Sequence, residues 1–258
     1  MHLLFVTMLC ITLSATAARA ETITLVADEW CPYNCAIGSD NPGIMVEIAK
    51  KAFEPVGITV DYKIIPWARA IETVRNGQYN ALLGAAYGDA EGFIFPTTPQ
   101  AMMRNSFYVK KGNSWSFKTM ESLNTISLGV IASYSYGDEI DTYIARYRDT
   151  MPRIQIVTGE DAAQRNIDKL NAGRVDALIE ASYVMEYHLK QRGMSDTIIT
   201  AGMLPASVQD QLFIAFSPSH KDSKRYVAIL NKAMERMKKT GELEAITRRY
   251  ISSNDNPS

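Results

Sequence analysis

The strongest constraint on this chain is a hydrophobic period that switches repeatedly along it. "ITLVAD" (23–28) is a continuous apolar run and reads as a buried strand. "GIMVEIAKKAFEPVG" (43–57) changes to helical spacing, with Ile44, Ile48, Ala52 and Phe53 on one face and Gly57 at its end. "ITVDYKII" (58–65) alternates as a strand. "PWARAIETVRNG" (66–77) is a helix opened by proline and closed by glycine, and "NALLGAA" (80–86) is the next buried strand. A strand–helix–strand–helix–strand run predicts a parallel sheet with right-handed crossovers.

The alternation breaks at the proline-punctuated "FPTTP" (95–99) and then restarts. "NSFYVKKG" (105–112), "ISLGVI" (126–131), "IQIVTG" (154–159) and "VDALIEA" (175–181) read as strands, with helices expected near 137–148, 160–172 and 182–192. "DQLFIAFS" (210–217) is a further strand, two helices (223–241 and 242–251) follow it, and the residues after Ser252 read as a polar tail. The expected class is α/β, with two open, mostly parallel sheets flanked by helices. Ligands of such sheets bind beyond the carboxyl ends of the strands. Two facing units therefore make a two-lobed clamp, walled by the turns at 28–34, 84–91, 132–136 and 180–183.

The N-terminus bears on the compartment. "MHLLFVTMLCITLSATAARA" is apolar and ends in Ala18-Arg19-Ala20, like a secretory signal peptide over residues 1–20. It is too short for a transmembrane span, and Cys10 lies inside it without the small preceding residue of a lipid anchor. Removing 20 of 258 residues leaves 238, expected in the periplasm. Losing Arg19 takes Lys plus Arg from 27 to 26 against 28 acids, a net charge of −2 that argues against nucleic acid as a partner.

"DEWCPYNC" (28–35) follows the first strand and so falls on the expected cleft wall. In an oxidising compartment, Cys31 and Cys35 read as a disulfide ahead of free thiols, a redox pair or a metal clip. The three-residue spacer is one longer than the redox motif, and no third metal ligand lies nearby. The staple would hold the turn rigid. There is no Gly-rich phosphate loop and no nucleophile elbow, so no cofactor, metal or catalytic residue is expected.

Six stretches, in order, are similar to the type II periplasmic solute-binding proteins of family 3, the amino-acid binders of ABC importers. They are "LVADEWCPY", "GIMVEIAKKAF", "YNALLGAA", "SLGVIASYSYG", "LNAGRVDALIEA" and "ILNKAMERMKKTGELEAITRRYI". The resemblance implies two lobes joined by crossings near 103–105 and 212–214. Lobe 1 is then expected over 21–103 and 214–258, and lobe 2 over 104–213. It implies a monomer that clamps a small polar solute and delivers it to an importer permease. Alternatives are a binding module reporting to a membrane sensor, or a dehydratase-like enzyme using Glu180 or Asp89.

The resemblance also assigns residues. Trp30 matches the aromatic that stacks on ligand, with Tyr33 beside it, and Asp28 matches a ligand-contacting acid. The alternatives are Trp30 as a core residue, which its place in a post-strand turn disfavours, and Asp28 as a turn carboxylate. The family's carboxylate-binding arginine corresponds to Gly92, and its ammonium-binding aspartate to Ala181. Both charge clamps are missing. Glu180 is one residue from the second, but strand alternation points it to the other face. Arg69 and Arg104 are possible replacement cations, or ordinary structural arginines. Trp67 is a cleft or capping aromatic, and Asp89 and Glu91 make the mouth acidic. Ser133, Tyr134 and Ser135 are expected to offer N–H groups and hydroxyls to an anion, with a plain helix N-cap at Ser135 as the alternative.

Overall fold

The computed structural model describes residues 21–150 and 152–251; the expected signal peptide and the tail after Ser252 lie outside them. Ten strands form two five-stranded sheets. The first contains β1 (Glu21–Ala27), β2 (Ile58–Ile64), β3 (Ala81–Ala85), β4 (Ala101–Met102) and β10 (Gln211–Phe216), in the order β2-β1-β3-β10-β4. The second contains β5 (Asn105–Lys110), β6 (Leu128–Ile131), β7 (Ile154–Val157), β8 (Ala177–Ala181) and β9 (Ile198–Met203), in the order β7-β6-β8-β5-β9. In each sheet three strands pair in parallel. One strand that arrives from the other sheet, β10 or β5, runs against its neighbours.

The expected strand–helix alternation is present in both halves. The first helix is shorter than its pattern. α1 (Ile44–Phe53) gives way at Pro55 to a single tight turn over Glu54–Val56. Pro55 lacks the N–H that continued α-helix needs, and Gly57 caps the end with φ 80°. α2 (Trp67–Arg75) follows Pro66 as expected. Strands β4 and β9 were not part of the sequence pattern.

α6 (Ser223–Thr240) and α7 (Glu242–Ile251) pack with α1 on the first sheet. There Phe53, Ile48, Leu230, Met234 and Met237 are almost wholly buried. Each such side chain contributes about 1.5–3 kcal/mol of burial free energy. α4 (Ala162–Asn171) and α5 (Ser182–Gln191) cover the second sheet, and α3 (Asp138–Tyr147) adds Ile140 and Tyr143 to its core.

The chain crosses between the sheets twice. The outward crossing lies between Met102 of β4 and Asn105 of β5, where it was expected. The return comes earlier than 212–214. Gln211, Leu212 and Phe213 already pair with Met102, Ala101 and Ala85 of the first sheet, so it lies between Met203 and Gln211. The apolar run of β10 is one uninterrupted strand, and its hydrogen bonds would be lost if it changed sheets midway. The two crossings are tied together by Arg104 Nε, 3.4 Å from Asp210 Oδ2.

Candidate functional site

The site is built where the carboxyl ends of β1, β3, β6 and β8 meet. The turn after β1 is tightly made. Cys31 and Cys35 form a disulfide. Trp30 N–H donates to Asn34 O at 2.7 Å and Asn34 N–H returns a bond to Trp30 O at 3.0 Å. The helix behind it binds the same turn, since Ile44 and Met45 N–H donate to Pro32 O and Tyr33 O. Trp30 is 6 % exposed, and its indole N–H crosses to the other sheet, donating to Glu180 Oε1 at 2.9 Å.

Further bonds span the lobes, among them Glu29 N–H to Glu160 O at 3.1 Å. Tyr134 Oη, from the turn after β6, donates to Asp28 Oδ2 at 2.6 Å. Ser135 N–H donates to Asp89 Oδ1 at 2.7 Å, while Asp89 Oδ2 accepts from Ala86 N–H at 2.8 Å. The backbone approaches closely at the same place. A Cβ on Gly88 would stand 2.3 Å from Ser135 Oγ, so any larger residue must push the Ser135 side chain aside.

These contacts enclose a small cavity between the sheets, with room for about one or two waters. Asp28, Trp30, Asn34, Trp67, Asp89 and Tyr134 are among its lining residues. Tyr134 fills much of the space, edge-on to Trp30 at 6.0 Å and to Trp67 at 6.2 Å between ring centroids. No Lys, Arg or His lines the cavity. Burial pushes three carboxyls up to about 7: Asp28 despite the Tyr134 hydroxyl, Asp89 despite its two backbone donors, and Glu180 despite the Trp30 and Ala181 N–H groups. Three polar atoms here are buried without a partner among the described residues: Asn34 Oδ1, Glu180 Oε2 and Trp67 Nε1. No group of three or more metal-ligating side chains occurs among the described residues.

The structure sorts the expected site residues. Asp28, Trp30, Trp67, Asp89, Tyr134 and Ser135 come together at the cavity. Tyr33 does not line it. It is fully buried beside Trp30, at 4.6 Å, and its hydroxyl donates to Met102 O near the crossing. Ser133 is exposed, with φ 63°, and turns the chain so that Tyr134 points inward.

In the turn at 132–136 the donors of Ser135 and Tyr136 are already used. Ser135 N–H serves Asp89, while Ser135 Oγ and Tyr136 N–H donate to the two oxygens of Asp141. Ser135 is not the N-cap, since α3 begins at Asp138 after Gly137.

Glu180 faces the cleft, against the alternation reading. β8 is buried on both faces, so alternation carries no facing information there. Arg69 is exposed on α2, and Arg104 belongs to the crossings; neither lines the cavity. Gly92 has φ 80°, a conformation in which an arginine would be strained, and Ala181 is buried. Sequence reasoning missed Asn34, Met103, Asn105 and Tyr136. A polar residue between two cysteines in a post-strand turn was the one available signal, for Asn34.

A comparison with curated proteins found no match. Solved structures match nearly the whole chain. An ancestral arginine-binding protein bound to arginine is 21 % identical with a TM-score of 0.71, covering 90 % of this chain and 98 % of that one. A Streptococcus mutans structure described for glutathione import through a cystine ABC importer is 17 % identical with a TM-score of 0.75, covering 91 % and 96 %. A histidine kinase sensor domain with similarity to periplasmic binding proteins is 17 % identical with a TM-score of 0.71, covering 90 % and 97 %. All three share the two-lobed fold. Residues 23–253 match the model of the bacterial extracellular solute-binding proteins, family 3, and the chain belongs to that family.

Proposed function

We propose that this protein is a periplasmic solute-binding protein that closes its two lobes on a small polar solute and delivers it to the permease of an ABC importer. One observation carries the reading. Three hydrogen bonds, one buried (Trp30 to Glu180) and two partly buried (Tyr134 to Asp28 and Ser135 to Asp89), join opposite lobes around a single cavity. A clamp needs such reversible bonds at the point of closure, because they hold the closed form and can be exchanged for ligand contacts. The protein acts as a non-catalytic monomer in this reading, and no turnover of prephenate or arogenate is expected.

The test is a thermal-shift screen of the mature chain over amino acids, polyamines, small carboxylates and sugars. A ligand at 100 times its Kd stabilises the fold by about 2.7 kcal/mol, which such a screen resolves. No response from any class would sink the reading. Neighbouring genes for a permease and an ATPase are expected. A histidine kinase or cyclase gene in their place would move the role to sensing.

A further inference from the structure

The carboxylate-receiving donors of this cleft are occupied by the protein itself. A ligand carboxylate held between lobes needs N–H groups converging from both sides. Ala86 N–H and Ser135 N–H converge in that way, and Asp89 sits between them with one oxygen on each. The next donors along the turn, Ser135 Oγ and Tyr136 N–H, are held by Asp141 in the same manner. No cationic side chain lines the cavity to receive a further anion.

The acceptors tell the opposite story. Asp28 Oδ2 is served by the hydroxyl of Tyr134, a ring that must move if the cavity is to hold anything larger than a water or two. Asn34 is 1 % exposed; its Nδ2 donates to Leu83 O, which leaves Oδ1 buried without a donor. Glu180 is 2 % exposed, and its Oε2 is likewise buried without a donor. Buried acceptors left bare are costly, so Asn34 Oδ1, on a residue that lines the cavity, marks where a ligand's N–H group belongs. Trp67 Nε1, buried without an acceptor, leaves place for one neutral oxygen or nitrogen of the ligand.

We infer that the cleft takes a small organic amine cation without a carboxylate, its N–H groups received by Asp28 and Asn34, while Asp89 stands in the place a ligand carboxylate would take. The inference rests on the solute-binding reading and narrows it to a ligand class. The walls suit such a ligand: Trp30 and Trp67 offer aromatic faces, which attract cations.

The experiment is calorimetry on the mature chain with matched pairs: agmatine against L-arginine, and 1,5-diaminopentane against L-lysine. Each pair differs by the α-carboxylate alone. The amine is expected to bind at least about tenfold tighter in at least one pair. Asp89→Ala frees the Ala86 and Ser135 N–H groups, so that preference is expected to shrink at least about tenfold or reverse. The near-isosteric Asp89→Asn is the second variant and is expected to weaken the amine, and thermal unfolding establishes that each variant is folded. Tighter binding of L-arginine or L-lysine by the unmutated chain overturns the inference and leaves solute binding standing. So does binding of a sugar or a carboxylate with neither amine bound. No binding by any member of the wider screen, from a chain that unfolds cooperatively, overturns both readings.

Discussion

The two sheets are wound alike, each with an interior strand, β1 or β6, that pairs in parallel on both sides and is followed by a turn on the cleft. Those two turns are made differently. The turn after β1 is closed by a disulfide, by reciprocal backbone bonds between Trp30 and Asn34, and by bonds from the start of α1. It also reaches the other lobe, through Trp30 Nε1 to Glu180 and Glu29 N–H to Glu160 O. The turn after β6 has no staple. It carries Ser133 at φ 63°, and its inward groups, Tyr134 and Ser135, are bonded to Asp28 and Asp89 of the opposite lobe. One turn, the wall, is covalently stapled; the other, the arm, is held in its own lobe by Asp141 and meets the opposite lobe through Tyr134 and Ser135. A clamp gains from the staple, because a rigid wall lowers the ordering cost of binding.

The largest expected effect tests the wall. Trp30→Ala removes a buried aromatic and takes a donor from Glu180, and should cost about 3–5 kcal/mol in urea unfolding. Tyr134→Ala, in the arm, should cost less, since that ring is only half-buried. Equal costs would erase the distinction between the turns.

The next concerns pH. Asp28, Asp89 and Glu180 have pKa values raised to about 7 by burial, from 3.8, 3.8 and 4.5. They face one another and the tyrosines at 33, 62, 134 and 136, with Asp141 beyond Asp89. Folding favours their protonated forms, so their contribution is complete in acid and is lost as pH rises through about 7. His188 acts in the other direction. Burial lowers it from 6.5 to about 4, so it loses stability as pH falls across that range. Three groups outweigh one, and the ligand-free chain should be more stable at pH 5.5 than at pH 8 by on the order of a few kcal/mol. Thermal melts in matched ionic strength measure this. A profile that rises toward pH 8 would mean that these carboxyls are solvated and the cleft stands open.

The smallest pair compares the turns directly. Replacing Cys31 and Cys35 together by serine should cost about 2 kcal/mol, the loop-closure value for so short a ring. Ser133→Gly relieves a left-handed residue and should shift stability by under about 1 kcal/mol. A large loss on Ser133→Gly would show that the arm, too, is built to be rigid.

Periods of two and 3.6 residues were legible in the sequence wherever one face or both were apolar, which covers β1, β3, β6, β8 and every helix. β4 has two residues, and β9 mixes exposed and buried positions without alternation, so neither announced itself. In the site, Asp28 and Trp30 were legible because their place after a strand end decides where they face. Tyr33 was not, because the stapled turn doubles back and carries it toward the crossing. Glu180, Asn34 and Asn105 are polar groups at buried positions, and only the packing of one lobe on the other decides what they meet.

Gly88 has a consequence for how long a guest stays. Its bare backbone lies flush against Ser135 with no room for one more carbon. The two lobes therefore meet there like the faces of a latch cut to zero clearance. A methyl group at that spot is a shim: it meets Ser135 and keeps the latch from seating. Residence time can then be set from position 88, by a residue that need never touch the solute.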